Sequence, residues 1–172
     1  MAYYFETVNY FRNLAILHPK IQHSTTAGQQ KRFFRMNVEE FVTGSVATLP
    51  NDPEKAFMVL INYIKTYDDE RPENEVQKIM FYIMSHAGSK DFEKEDAARG
   101  FTERICEDII LRMKNDSNNN DTFLRHSYDE IANTRIIPAE LKNASGNYVG
   151  WQVVISLTRK FNTCYNQSNW GI

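Results

Sequence analysis

The sequence predicts an α+β fold, a mostly antiparallel sheet with an N-terminal helix and a long central helix packed on it. Three observations carry this. The stretch "DFEKEDAARGFTERICEDIILRMKND" repeats apolar residues at helical spacing. The stretch "YVGWQVVISLTRK" alternates, with Trp151, Val153, Ile155 and Leu157 on one side and Gln152, Ser156 and Thr158 on the other. Two apolar runs of similar length flank the charged "DDERPE", as an antiparallel hairpin would.

Taken in order, residues 3–17 read as a helix. Tyr4, Val8, Phe11 and Ala15 recur at helical spacing, and Phe5 and Leu14 widen the stripe. Pro19 disfavours helical geometry at His18 and ends it. "QHSTTAGQQKR" is loop. "RFFRMNVEEF" alternates Phe34, Met36 and Val38 against Arg35, Asn37 and Glu39, which predicts a strand. "VTGSVATLPNDPEK" has turn chemistry and connects onward. "KAFMVLINYIKTYD" is rich in β-branched and aromatic residues and predicts a strand, although Asp52-Pro53-Glu54 also resembles a helix start. "NEVQKIMFYIMSHAG" fits either period and is assigned to the partner strand of the hairpin. In the central helix, Ala98, Phe101, Ile105, Ile109 and Met113 form one stripe flanked by Cys106 and Ile110. Its acidic start and basic end suit the helix dipole. "NDSNNNDT" is a polar loop. "NTRIIPAEL" and "YVGWQVVISLTRK" are two final strands joined through "KNASGN".

A chain of 172 residues is expected to form one domain with a sizeable core. Residues 1–160 are assigned to it, and 161–172 to a C-terminal aromatic tail. The composition, 42% hydrophobic and 24% charged, is that of an ordinary globular protein. A formal charge of -2 leaves no whole-chain field to draw it onto nucleic acid or an acidic membrane. Glu6 and Arg12 interrupt what would be the apolar part of a signal peptide. No apolar run reaches the roughly 20 residues needed to span a bilayer. Cys106 and Cys164 make neither a metal pair nor a disulfide framework, so reduced, cytosolic synthesis is expected.

Several constellations invite chemistry and fall short of it. Asp116, Asn118 and Asn120 occupy positions 1, 3 and 5 of a calcium loop. The pattern then fails, with Asp121 where glycine is needed and Ser127 where a bidentate carboxylate is needed. His18 and His23 flank "PKIQ" without metal-ligand spacing to each other or to His86 and His126. His18 is expected at a helix C-terminus, where positive charge is favoured. "KRFFR", Lys31 to Arg35, interleaves basic and aromatic residues as nucleic-acid readers do. It lacks the glycines of the ribonucleoprotein motif, and Phe34 is expected to face the core with Arg35 in solvent. The carboxylates of "YDDERPENE" are expected to be solvated on a turn. There is no phosphate-cradling glycine loop and no nucleophile elbow. Cys164 has no basic sequence neighbour to activate it. No catalytic residue, cofactor or metal is therefore expected. The tail is different, because Phe161, Tyr165 and Trp170 follow neither strand nor helix spacing. Aromatic rings on an irregular arm suit intermolecular anchoring.

The succession of "LAILHPKIQH", "RFFRMNVEEF", "AFMVLINYI", "FTERICEDIILRMKND" and "VGWQVVISLTRKFNTCYN" resembles small neck and tail-completion (tail-terminator-like) proteins of tailed bacteriophages, especially those of phages and prophages of Bacteroidetes. The likeness covers most of the chain and lies in element order and texture. Its most specific part is the closing Gly-Trp strand followed by Cys-Tyr. The resemblance implies a virion protein without enzyme activity, forming a homo-oligomeric ring at the head-tail connector or tail terminator. Portal, neck or tail proteins would be its partners. Genomic DNA would pass through the centre without specific binding, and no membrane would be involved. Its localisation would be the virion, assembled in the host cytoplasm. Ring closure needs a heterologous interface, and the tail residues Phe161, Tyr165 and Trp170 are expected to supply half of it. The competing expectations are a small cytosolic hydrolase or transferase and a monomeric protein-binding adaptor.

Overall fold

Pro19 does end the first helix, α1, which runs Ala2–Leu17, and His18 lies just outside it. These observations come from a computed structural model that describes residues 2–43, 49–67, 74–88, 91–119, 124–125, 127–143 and 146–160. The remaining elements, in chain order, are β1 (Phe33–Met36), α2 (Val38–Val42), β2 (Ala56–Tyr67), β3 (Asn74–Gly88), α3 (Phe92–Ser117), α4 (Tyr128–Ala132), β4 (Arg135–Asn143) and β5 (Gly146–Lys160).

The strands form one five-stranded sheet in the order β1-β2-β3-β5-β4. β1 pairs parallel to β2, and every other pairing is antiparallel. The expected hairpin is therefore present as β2 and β3, and it is not helical. The fold is α+β, with α1 and α3 packed on one face. They run antiparallel, because Tyr10 meets Asp116 while His18 meets Asp108. On α1, Val8, Phe11, Leu14 and Ala15 are buried. Phe5 is 63% exposed, which corrects its expected place on the stripe. The predicted stripe of α3 is buried at Ala98, Ile105, Cys106, Ile109, Ile110 and Met113. Ala98 packs with Ala87 and Val149; the others meet Met58 and Leu60 of β2, Ile79, Phe81 and Ile83 of β3, and Val153, Ile155 and Leu157 of β5. Trp151 ties the layers with a hydrogen bond from Nε1 to the Arg99 carbonyl at 2.9 Å.

The strand expected over "RFFRMNVEEF" is cut to four residues. Asn37 caps α2 instead: Glu40 N–H donates to Asn37 Oδ1 at 2.7 Å, and Asn37 N–H donates to Glu40 Oε2 at 2.9 Å. Val38, placed inside by the alternation, is 55% exposed on that helix. Phe33, rather than Phe34, enters the helix-side core, while Phe34 packs on the opposite face and Arg35 is exposed. The short helix α4, buried only through Ile131, has no counterpart among the expected elements.

Candidate interaction surface

The two faces of the sheet are not equally covered. On the helix side the strands stay buried along their length: Gln77, Ile79, Phe81, Ile83, Val153 and Leu157 have no exposed surface. On the second face, coverage comes from Phe41 of α2, Leu49, and Phe34 and Met36 of β1. Phe41 lies over Tyr82 with ring centroids 4.2 Å apart. Phe57 meets Tyr148 edge-on at 5.6 Å, and the Tyr148 hydroxyl donates to Asn51 Oδ1 at 2.6 Å. That cover ends partway along the strands. Burial on β3 falls from Met84 through half-buried Tyr82 and Met80 to exposed Lys78. On β5 it falls from Tyr148 through half-buried Gln152 and Val154 to exposed Ser156 and Thr158.

The open end continues onto β4, which among the described residues is an edge strand paired with β5 alone. By register, Ile137 opposite Gln152 lies on the sparsely covered face, and Ile136 opposite Val153 on the helix side. They are 43% and 36% exposed. Pro138 follows them, a residue that sheets admit at edges because it has no N–H to give a ladder. Glu130 and Asn133 of the α4 region border a shallow depression of about 430 Å³ with Lys78, Arg135, Val154 and Ser156. Within the open face, Gln152 Nε2 donates to the Tyr82 hydroxyl at 2.8 Å. The surface is thus mixed, with isoleucine, valine and methionine side chains set among Lys78, Arg135, Gln152 and Ser156. It can bury apolar area and accept neutral or anionic polar groups, which is the chemistry of a protein contact.

The sequence places the expected anchors at Phe161, Tyr165 and Trp170, and these lie outside the described residues, as do Cys164, His126 and the "DDERPE" turn. β5 ends at Lys160, opposite Asn74, at the same open end of the sheet. Lys160, after which the expected anchors follow in sequence, therefore lies at the end of the sheet where the second face is sparsely covered. The β4 isoleucines are not among the expected anchors. Their signal is present in "RIIP", because adjacent isoleucines break strand alternation and leave one on each face.

The other singled-out residues serve the fold. Asp116 is buried at the end of α3, where it accepts from the Tyr10 hydroxyl at 2.8 Å and pairs with Arg112 Nε at 2.9 Å. Burial, and then the Asp116 carboxylate, push the Tyr10 phenol well up from its ordinary range. His18 Nε2 lies 3.6 Å from Asp108, yet burial outweighs that charge and lowers the imidazole, so the expected preference for a cation there is corrected. His23 is buried, and His86 packs edge-on to Tyr148 at 5.3 Å. Cys106 is a core residue whose thiol burial pushes up, away from nucleophilic range. Glu75 is buried on β3 and accepts from Gln77 Nε2, which corrects the expectation that it is solvated. Among the described residues, no group of three or more His, Cys, Asp or Glu lies close enough to hold a metal. The larger depression, of about 570 Å³, is lined mostly by apolar groups, including Pro53, Ala87, Ala98 and Phe101, with His86 and Lys94 as its titratable side chains. No described helix is long and apolar enough to cross a membrane. No protein-family model matches the chain, and no curated protein sequence matches it.

Proposed function

We propose that the chain is a ring-forming structural subunit of the neck or tail of a tailed bacteriophage, without enzyme activity. In this reading it joins portal, neck or tail proteins of the virion, and DNA passes through the ring. The observation that carries the self-association is the loss of cover along the second face of the sheet, from Met84 and Tyr148 to Lys78 and Thr158. A strand face that is half dressed by its own chain, beside an edge strand showing Ile136 and Ile137, is a surface suited to a neighbour. Lys160, the residue before the aromatic segment in sequence, ends β5 at that end of the sheet. One subunit's segment reaching the next subunit's open face is a heterologous contact, which closes a ring where the rotation permits. The virion location rests on the sequence resemblance.

The test is assembly. Full-length protein is expected to form closed oligomers by native mass spectrometry and electron microscopy, alone or when added to portal complexes. The chain truncated after Lys160 is expected to fold, with an unchanged far-UV spectrum, and to remain monomeric. A full-length protein that stays monomeric and joins no portal or tail protein overturns the proposal. A truncated chain that still self-associates removes the tail from it. A full-length monomer that binds one non-identical partner through the tail favours an adaptor instead.

A further inference from the structure

The uncovered part of the sheet has a counterpart of matching chemistry in the helix layer. On β4, strand alternation puts Arg135 and Ile137 on the same face. Register sets Val154 of β5 opposite Arg135, and Met80 of β3 opposite Val154. Lys78 lies one step further towards the open end, opposite Ser156. Ile137, Val154 and Met80 thus give the patch an apolar centre, and Lys78 and Arg135 give it two cations. Both cations are exposed. Among the described residues, neither has a carboxylate within ion-pairing distance, although Glu130 borders the same depression.

The other side of the molecule is formed by the outer surfaces of α1 and α3. Leu17, at the end of α1, is 72% exposed, and Leu111 of α3 is 62% exposed. Leu14, Leu17, Pro19 and Ile109 line a shallow apolar groove of about 180 Å³ between the two helices. Glu107 and Asp108 stand on the turn of α3 before Leu111. Glu107 is exposed and, among the described residues, has no cation within ion-pairing distance. Asp108 lies 3.6 Å from His18 Nε2, but burial keeps that imidazole neutral near pH 7, so the carboxylate charge is not cancelled. Arg112, which also borders the groove, is already matched by Asp116. The next cations along the helix are Arg104, before the two carboxylates, and Lys114, after Leu111.

Each patch is an apolar centre with two charges beside it, positive on the sheet and negative on the helices. They lie on opposite sides of the two-layer fold, so they cannot both take part in one two-fold contact. They meet only head to tail, from one copy to the next.

We propose that the Lys78, Arg135 and Ile137 patch of one subunit docks on the Leu17 and Leu111 patch of a second copy, with Glu107 and Asp108 facing the two cations. The inference rests on the ring reading and deepens it, adding a pair of folded surfaces to the aromatic segment after Lys160. The helix layer of one copy supplies the cover that the second face of the next copy lacks.

Charge reversal and mixing test the contact on the full chain, under the condition in which wild-type protein assembles. K78E/R135E and E107K/D108K are each expected to weaken self-association about 10- to 100-fold in sedimentation velocity. A 1:1 mixture of the two is expected to regain wild-type assembly. Reversed patches then meet reversed patches, native patches meet native ones, and the subunits alternate. Near-UV circular dichroism checks that each variant is folded. If a double variant does not fold, R135E and E107K, both at exposed positions, replace the pair in the same mixing experiment. The proposal is overturned, with the ring reading intact, if wild-type protein assembles and the folded variants assemble equally well, or if their mixture stays dissociated. Wild-type protein that assembles neither alone nor on portal complexes overturns the ring reading, and this contact with it.

Discussion

Replacing Gly150 by alanine puts a methyl group where the sheet has no room. Gly150 lies in β5 opposite Met84 of β3. A Cβ there would stand 2.0 Å from the Ile83 carbonyl oxygen, and 3.0 Å from both the Ile83 carbonyl carbon and the Met84 Cα. Every one of these neighbours is backbone, so no side-chain rotation relieves the clash. β5 must move away from β3, and it is paired on its other side to β4. Losing one or two ladder hydrogen bonds costs about 1 kcal/mol each, and the overpacking adds about 1–3 kcal/mol. The sum, about 2–5 kcal/mol, lowers the melting temperature by roughly 5–15 °C for a domain of this size. Gly100 is the internal control. It sits exposed in α3 with nothing within 4 Å of where its methyl group would stand, so alanine should stabilise the helix by about 1 kcal/mol. Thermal melts followed at 222 nm should therefore show Gly150→Ala falling and Gly100→Ala rising by about 2–4 °C. A Gly150→Ala protein that melts with or above the wild type refutes the reasoning, because the strands would then tolerate a separation the geometry forbids.

Two further outcomes follow from the core and from the buried imidazoles. Phe11→Ala empties a fully buried site against Phe81, whose ring is 5.0 Å away, and should cost about 3–5 kcal/mol in a urea titration. His18 and His23 both have lowered pKa values in the folded state, chiefly through burial. Above the ordinary imidazole value of 6.5 their neutral forms cost nothing extra. As the pH falls below it the unfolded chain takes up protons first, so stability is lost on acidification until the folded-state values are reached. His23→Asn keeps an acceptor for the Arg32 and Phe33 N–H groups and removes the titration. Its stability should fall less than that of the wild type between neutral and mildly acidic pH.

Much of the fold was legible because the informative segments were long. α3 shows several turns of one stripe, and β5 alternates over most of its length, so local pattern and tertiary packing agree. The hairpin was legible from two matched runs around a charged turn. α2 was hidden because Phe34, Met36 and Val38 alternate straight through it, although Asn37 and Glu40 spell a capping box. α4 is a single turn whose one buried side chain, Ile131, leaves no period to detect. The parallel pairing of β1 with β2 depends on a crossover, and no residue pattern within β1 states it. Of the interaction surface, the edge character of β4 could be read from "RIIP", whereas the gradient of cover along β3 and β5 emerges only when distant elements are assembled.

The place of β5 in the sheet has a consequence for biosynthesis. Strand order puts it between β3 and β4, although it follows both in the chain. β4 emerges from the ribosome earlier and finds no strand to pair with until β5 arrives. β3 meanwhile keeps one hydrogen-bonding side unmet. The nascent polypeptide therefore holds an unfinished sheet until its most non-local pairing is made, a slow and aggregation-exposed order of assembly. A translation product stopped before Gly146 would leave both strands unclosed, a ready substrate for chaperones and proteases.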